Sequence, residues 1–132
     1  MTEQSWVLLG AYHEQEGIWR LRACRHVPGQ PASVEADWQW ALAREEVHGD
    51  VVGFAHTHPA GSGTEPSNRD LRTMEAWCSA FGKPLVCLIA EGHSLHDPAG
   101  YLFHHDGDDP LSLAAFELEL EKNVTQDKGD YD

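Results

Sequence analysis

Hydrophobic and polar positions alternate in short blocks along this chain, and the blocks predict many strands and a few helices. Trp6-Val7-Leu8-Leu9 is an apolar run closed by Gly10, the pattern of a buried strand. From Ile18 to Arg25, Ile18, Arg20 and Arg22 alternate with Trp19, Leu21 and Ala23, which predicts a second strand joined by a hairpin through Gly17. Pro28-Gly29-Gln30-Pro31 is a loop. Ser33 to Trp40 alternates at Val34, Ala36, Trp38 and Trp40, so a short strand is expected there. A helix then follows from Asp37 as a cap to about Val47, ended by Gly49-Asp50.

Val51-Val52-Gly53-Phe54-Ala55 is rich in β-formers, which puts His56 and His58 at the C-terminal end of a strand. Pro59 to Pro66 is a loop. Ser67 opens a helix whose Leu71, Met74, Cys78 and Phe81 share one face, and Gly82 with Pro84 stops it. Leu85 to Ala90 is the most apolar run and reads as a central strand, with another at Tyr101-Leu102-Phe103. Asp109-Pro110 is placed to begin a helix to about Lys122. The order predicts an α/β fold, a mixed curved β-sheet flanked by helices. One domain over residues 1–122 and a polar, disordered tail over 123–132 are expected.

The length of 132 residues suits one domain with a single modest core, and 41% hydrophobic residues suits a globular chain. No apolar run approaches the roughly 20 residues that span a bilayer. Met1-Thr2-Glu3-Gln4 lacks the features of a secretion signal, so a cytoplasmic protein is the expectation. Nine basic against 22 acidic residues give a net charge of −13, which disfavours nucleic acid as a partner and suits a basic protein surface. Cys24, Cys78 and Cys87 form no C-x-x-C pair and read as buried reduced thiols. The five tryptophans, Trp6, Trp19, Trp38, Trp40 and Trp77, are expected in the core, with one or two at a rim to anchor a partner.

The chemistry gathers at His56-Thr57-His58-Pro59 and Ser67-Asn68-Arg69-Asp70. Residues two apart on a strand face the same side, so both imidazoles can converge on one ion, and Asp70 in the first helical turn is a third candidate ligand. Two His and one carboxylate leave zinc an open position, the arrangement of catalytic sites. A bland reading stands beside each part. His-x-His alone is a weak signal, and Ser67-x-x-Asp70 is also a capping box. Strand, His-x-His-Pro, Gly/Pro loop and Ser-x-x-Asp helix start, in that order, are specific together.

These motifs resemble the signature of the JAMM (MPN-type) metalloproteases, which remove ubiquitin or ubiquitin-like proteins from conjugates. That signature is an upstream Glu, then H-[ST]-H-P, then S-x-x-D. The resemblance spans roughly residues 3–105. It implies an MPN/cytidine-deaminase-like three-layer sandwich, one catalytic Zn²⁺ on His56, His58 and Asp70, and hydrolysis after the C-terminal Gly of a ubiquitin-like protein. Glu3, Leu8 and Gly10 match the family's first strand, and Trp6 stands where the family prefers Gly. Carried over, Glu3 is the general base and Ser67 steadies the oxyanion. Glu14, Glu16 and Glu35 are the fallback bases.

A stand-alone prokaryotic member acting on ubiquitin-like conjugates or precursors is therefore the expectation, its substrate tail adding to an edge strand near residues 51–55 or 18–25. No membrane partner is expected, and a homodimer stays open. Two competing readings remain. One is a RadC-like protein linked to DNA, whose motif has Asn where Thr57 stands. The other is a non-catalytic MPN-type scaffold.

Overall fold

In the computed structural model, residues 3–29, 36–104 and 109–121 are described. The elements are β1 (Gln4–His13), β2 (Ile18–Pro28), α1 (Trp38–His48), β3 (Val51–His58), α2 (Asn68–Phe81), β4 (Leu85–Glu91), β5 (Ala99–Phe103), β6 (Leu111–Ser112) and β7 (Phe116–Leu120). The strands form one sheet in the order β6-β5-β4-β3-β1-β2-β7. It is mixed: β3 runs parallel to β4 and β2 to β7, and the other neighbours are antiparallel. The fold is the curled α/β sheet that the block pattern predicts. Among the described residues no helix is long and apolar enough to cross a membrane.

Two apolar cores lie on opposite faces of the sheet. On the first, Val7, Leu9, Phe54, Cys87 and Ile89 meet Ala41 of α1 and Met74 and Cys78 of α2. Both helices pack there. On the second, Leu8, Leu21, Val52, Val86 and Leu88 are covered by Leu113, Phe116 and Leu118. Alternate residues of β1 thus feed alternate cores, as a period of two requires.

The sheet curls until its edges approach. β6 and β7 sit at opposite edges, yet only residues 113–115 join them. Four residue steps reach at most about 14 Å, whereas six strand spacings from β6 to β7 would span roughly 29 Å if flat. Side chains close the gap. A Cβ built on Gly100 of β5 would lie 2.9 Å from the Phe116 ring and 3.0 Å from Leu113, so any larger residue there would push these side chains aside.

Several expectations are corrected. The helix expected from Asp109-Pro110 to Lys122 does not form among the described residues, where β6 takes Leu111–Ser112 and β7 Phe116–Leu120. Leu, Ala and Glu favour helices, but Phe116 to Glu121 alternates apolar with acidic. Paired with β2, that alternation turns Phe116 and Leu118 toward the second core and leaves Glu117 and Glu119 exposed. A helix would scatter the same residues around its axis.

β1 does not stop at Gly10 but continues to His13. Gly10, at φ 151°, passes so close to β2 that a Cβ would fall 1.9 Å from the Arg20 carbonyl oxygen. Of the short strand expected over Ser33 to Trp40, residues 38–40 are helical and 33–35 lie outside the described residues. Asp37 caps that helix by accepting from the Trp40 amide. Trp38 is 41% exposed, outside the core expected for it. The strands at 18–25 and 51–55 are not edges, because β2 lies between β1 and β7, and β3 between β4 and β1. The expected tail, 123–132, lies outside the described residues.

Candidate metal centre

β3, α2 and β4 form a parallel crossover unit, and His56 and His58 sit at the carboxyl end of β3. That end of a parallel pair is where open α/β sheets place their ligands. Phe54 shares the strand face of both His and packs on Trp77 of α2, ring centroids 4.0 Å apart. Seven residues separate Asp70 from Trp77, about 10.5 Å along a helix. Four separate Phe54 from His58, about 13 Å along a strand. The aromatic contact at one end therefore sets the first turn of α2 over the imidazoles at the other.

The start of α2 is a complete capping box. The Ser67 hydroxyl accepts from the Asp70 amide at 3.1 Å, and Asp70 Oδ2 accepts from the Ser67 amide at 2.9 Å. The same carboxylate reaches both rings, with Oδ1 3.1 Å from His56 Nε2 and Oδ2 3.0 Å from His58 Nε2. Capping and ligand geometry are therefore not alternatives, because one side chain serves both.

The two Nε2 atoms are 3.3 Å apart. A tetrahedral ion with ligands at about 2.0–2.1 Å has ligand–ligand edges of roughly 3.3–3.5 Å. The three donor atoms all lie within 4.8 Å of one another and can hold a metal ion.

Tautomer chemistry points the same way. His58 Nδ1 lies 3.1 Å from the Gly63 carbonyl oxygen. A carbonyl can only accept, so Nδ1 carries the proton. In neutral His58 that leaves Nε2 a bare acceptor facing the bare Asp70 carboxylate at 3.0 Å. Only a cation between them, or a second proton on the ring, makes that contact favourable. Burial works to raise the Asp70 carboxyl, but His56, the Ser67 amide and His58 outweigh it and hold it well below the usual carboxylate range. The carboxylate stays ionised.

A cleft of about 460 Å³ opens on this cluster. Glu3 and Ser67, predicted as base and oxyanion group, both line it, with Glu65 as a further carboxylate. Glu14 and Glu16 lie in the exposed hairpin turn, where Glu16 pairs with Arg20, and Glu35 lies outside the described residues.

Three contributors were not legible from motifs. Ser5 faces His56 across β1 and β3 and lines the cleft, 2% exposed, with Oγ unpartnered among the described residues. Such a group costs about 1–3 kcal/mol when left unmet. Glu91, beside His58 on β4, accepts from the Gly63 amide at 2.6 Å, and the Tyr101 hydroxyl donates to the Thr64 carbonyl at 2.9 Å. Both pin the loop whose carbonyl orients His58. Their only sequence signal is strand register, which a single chain does not display.

A sequence model of the family described as prokaryotic homologs of the JAB domain matches residues 2–101. No curated protein matches the chain.

Proposed function

The chain belongs to the family of prokaryotic homologs of the JAB domain, and from that premise we propose that it is a zinc-dependent peptidase. Its substrate is the peptide or isopeptide bond after the C-terminal Gly of a ubiquitin-like protein, in a conjugate or precursor. The observation that carries the reading is the convergence of three ligand atoms: His56 Nε2 and His58 Nε2 lie 3.1 and 3.0 Å from the Asp70 carboxylate and 3.3 Å from each other. His58, its proton held on Nδ1 by Gly63, turns Nε2 on the Asp70 carboxylate with His56 beside both. Two imidazoles and one carboxylate suit zinc.

When bound, the ion supplies Lewis acidity, polarising the carbonyl and making water ionise near neutral pH. The chain's residues do the rest. The Glu3 carboxylate takes the proton from the attacking water and returns it to the leaving amine nitrogen. Ser67 accepts from the Asp70 amide, so its own hydroxyl proton is free to donate to the developing oxyanion. A Gly-terminated tail, lacking side chains, threads the cleft between Glu3 and the start of α2.

The test is cleavage of a panel of ubiquitin-like fusions and isopeptide conjugates by zinc-loaded protein. Scission after the terminal Gly, lost on chelation, is the expected result. Glu3→Gln is expected to keep zinc and lose turnover by at least about 100-fold. Zinc binding without cleavage of any substrate would favour the scaffold reading instead.

A further inference from the structure

Four side chains make a small grid at the mouth of the sheet. His56 and His58 project from one face of β3, Ser5 of β1 stands opposite His56, and Glu3 lies just before β1 at the same end of the sheet. All four line the cleft. Ser5 is the odd member. Its oxygen is buried and has no hydrogen-bond partner among the described residues, although buried hydroxyls nearly always have one. Packing alone does not ask for oxygen there, since Val7, next on that face, is apolar and fully buried. A hydroxyl rotates freely to suit a partner, and the partner available is whatever occupies the cleft beside His56.

We propose that the Ser5 hydroxyl donates a hydrogen bond to the oxygen of the attacking water and favours its ionisation; this rests on the peptidase reading. The water gives one proton to the Glu3 carboxylate, and its oxygen forms the new bond to the carbonyl carbon. The carbon–nitrogen bond breaks as Glu3 passes that proton to the leaving nitrogen. Ser5 keeps its own proton throughout. Its hydrogen bond strengthens as negative charge grows on the water oxygen, because a donor favours the charged form of its acceptor.

The test uses cobalt-loaded full-length protein, whose visible spectrum changes with pH as solvent in the cleft ionises, so no substrate is needed. Ser5→Ala, which removes little but the oxygen, is expected to bind cobalt as tightly as the wild type. Its spectral midpoint is expected to move up by about one pH unit, the counterpart of a tenfold change. Ser5→Thr, which keeps the hydroxyl, restores the midpoint. On a cleavable substrate Ser5→Ala loses about tenfold in kcat with KM unchanged. If Ser5→Ala does not fold, Ser5→Cys carries the test, since its weaker donor predicts a shift in the same direction.

An unchanged midpoint and unchanged kcat in Ser5→Ala would overturn the role of Ser5 while leaving the metal centre intact. A wild-type protein that binds no cobalt would overturn the peptidase reading and this inference together.

Discussion

The two ring nitrogens of His58 have separate tasks, and much of the chemistry follows from that division. Nδ1 donates to Gly63, and Nε2 is left to face Asp70. The Gly63 peptide is held in turn by Glu91. Removing such an outer partner typically costs 10–100-fold in metal affinity, so Glu91→Ala is expected to weaken zinc about tenfold in a chelator-competition titration, with the fold unchanged. The motif residues were legible because their spacing on a strand and a helix start encodes a shared direction. Ser5 and Glu91 were not, since their meaning comes from neighbours on other strands. The cysteines behave as their sparse spacing predicts. Burial, with the nearby Glu121 charge, pushes Cys24 up to about 12, and burial raises Cys78 and Cys87. Thiol labelling at pH 8 is expected to be negligible in native protein and to reach all three after denaturation.

At the scale of elements, α2 ties stability to the site. Its first turn is capped by Ser67 and carries Asp70, while its apolar face docks on Phe54 through Trp77. Ser67→Ala is expected to cost about 1 kcal/mol, read from the denaturation midpoint, while zinc stays bound. The helix was legible because cap, period and stop agree. The segment after Pro110 was misread because composition and period disagree there: Leu, Ala and Glu favour helix, yet Phe116 to Glu121 repeats every two residues. The exposed second face of the sheet decides in favour of the period, since only a strand can turn both Phe116 and Leu118 onto it. Phe116→Ala is accordingly expected to destabilise the protein by about 1–3 kcal/mol, less than for a fully buried ring, with little effect on zinc content.

For the molecule as a whole, curling and charge matter most. The family match ends at residue 101, and residues 111–120 then carry the chain from one sheet edge to the other. Local patterns predict strands but not how far a sheet bends, so the closure was not legible. The junction of α1 and β3 is locked by Arg44, which grips Asp50 at 2.7 and 2.9 Å. That hydrogen bonding lowers the Asp50 carboxyl below its ordinary value. A depressed acid stabilises the fold fully above its unfolded value, about 4, and loses that contribution as pH falls through the lower folded value. Asp50→Asn should therefore flatten the acid limb of the stability–pH curve measured below pH 5.

The most direct measurement is a zinc titration of metal-stripped protein against a competing chelator, wild type beside His56→Ala and Asp70→Ala. Wild-type protein is predicted to take up one ion per chain, each variant to lose it, and acid to release it as imidazole ligands protonate. Wild-type protein that takes up no zinc, or that holds it equally well without His56 or Asp70, would contradict the account.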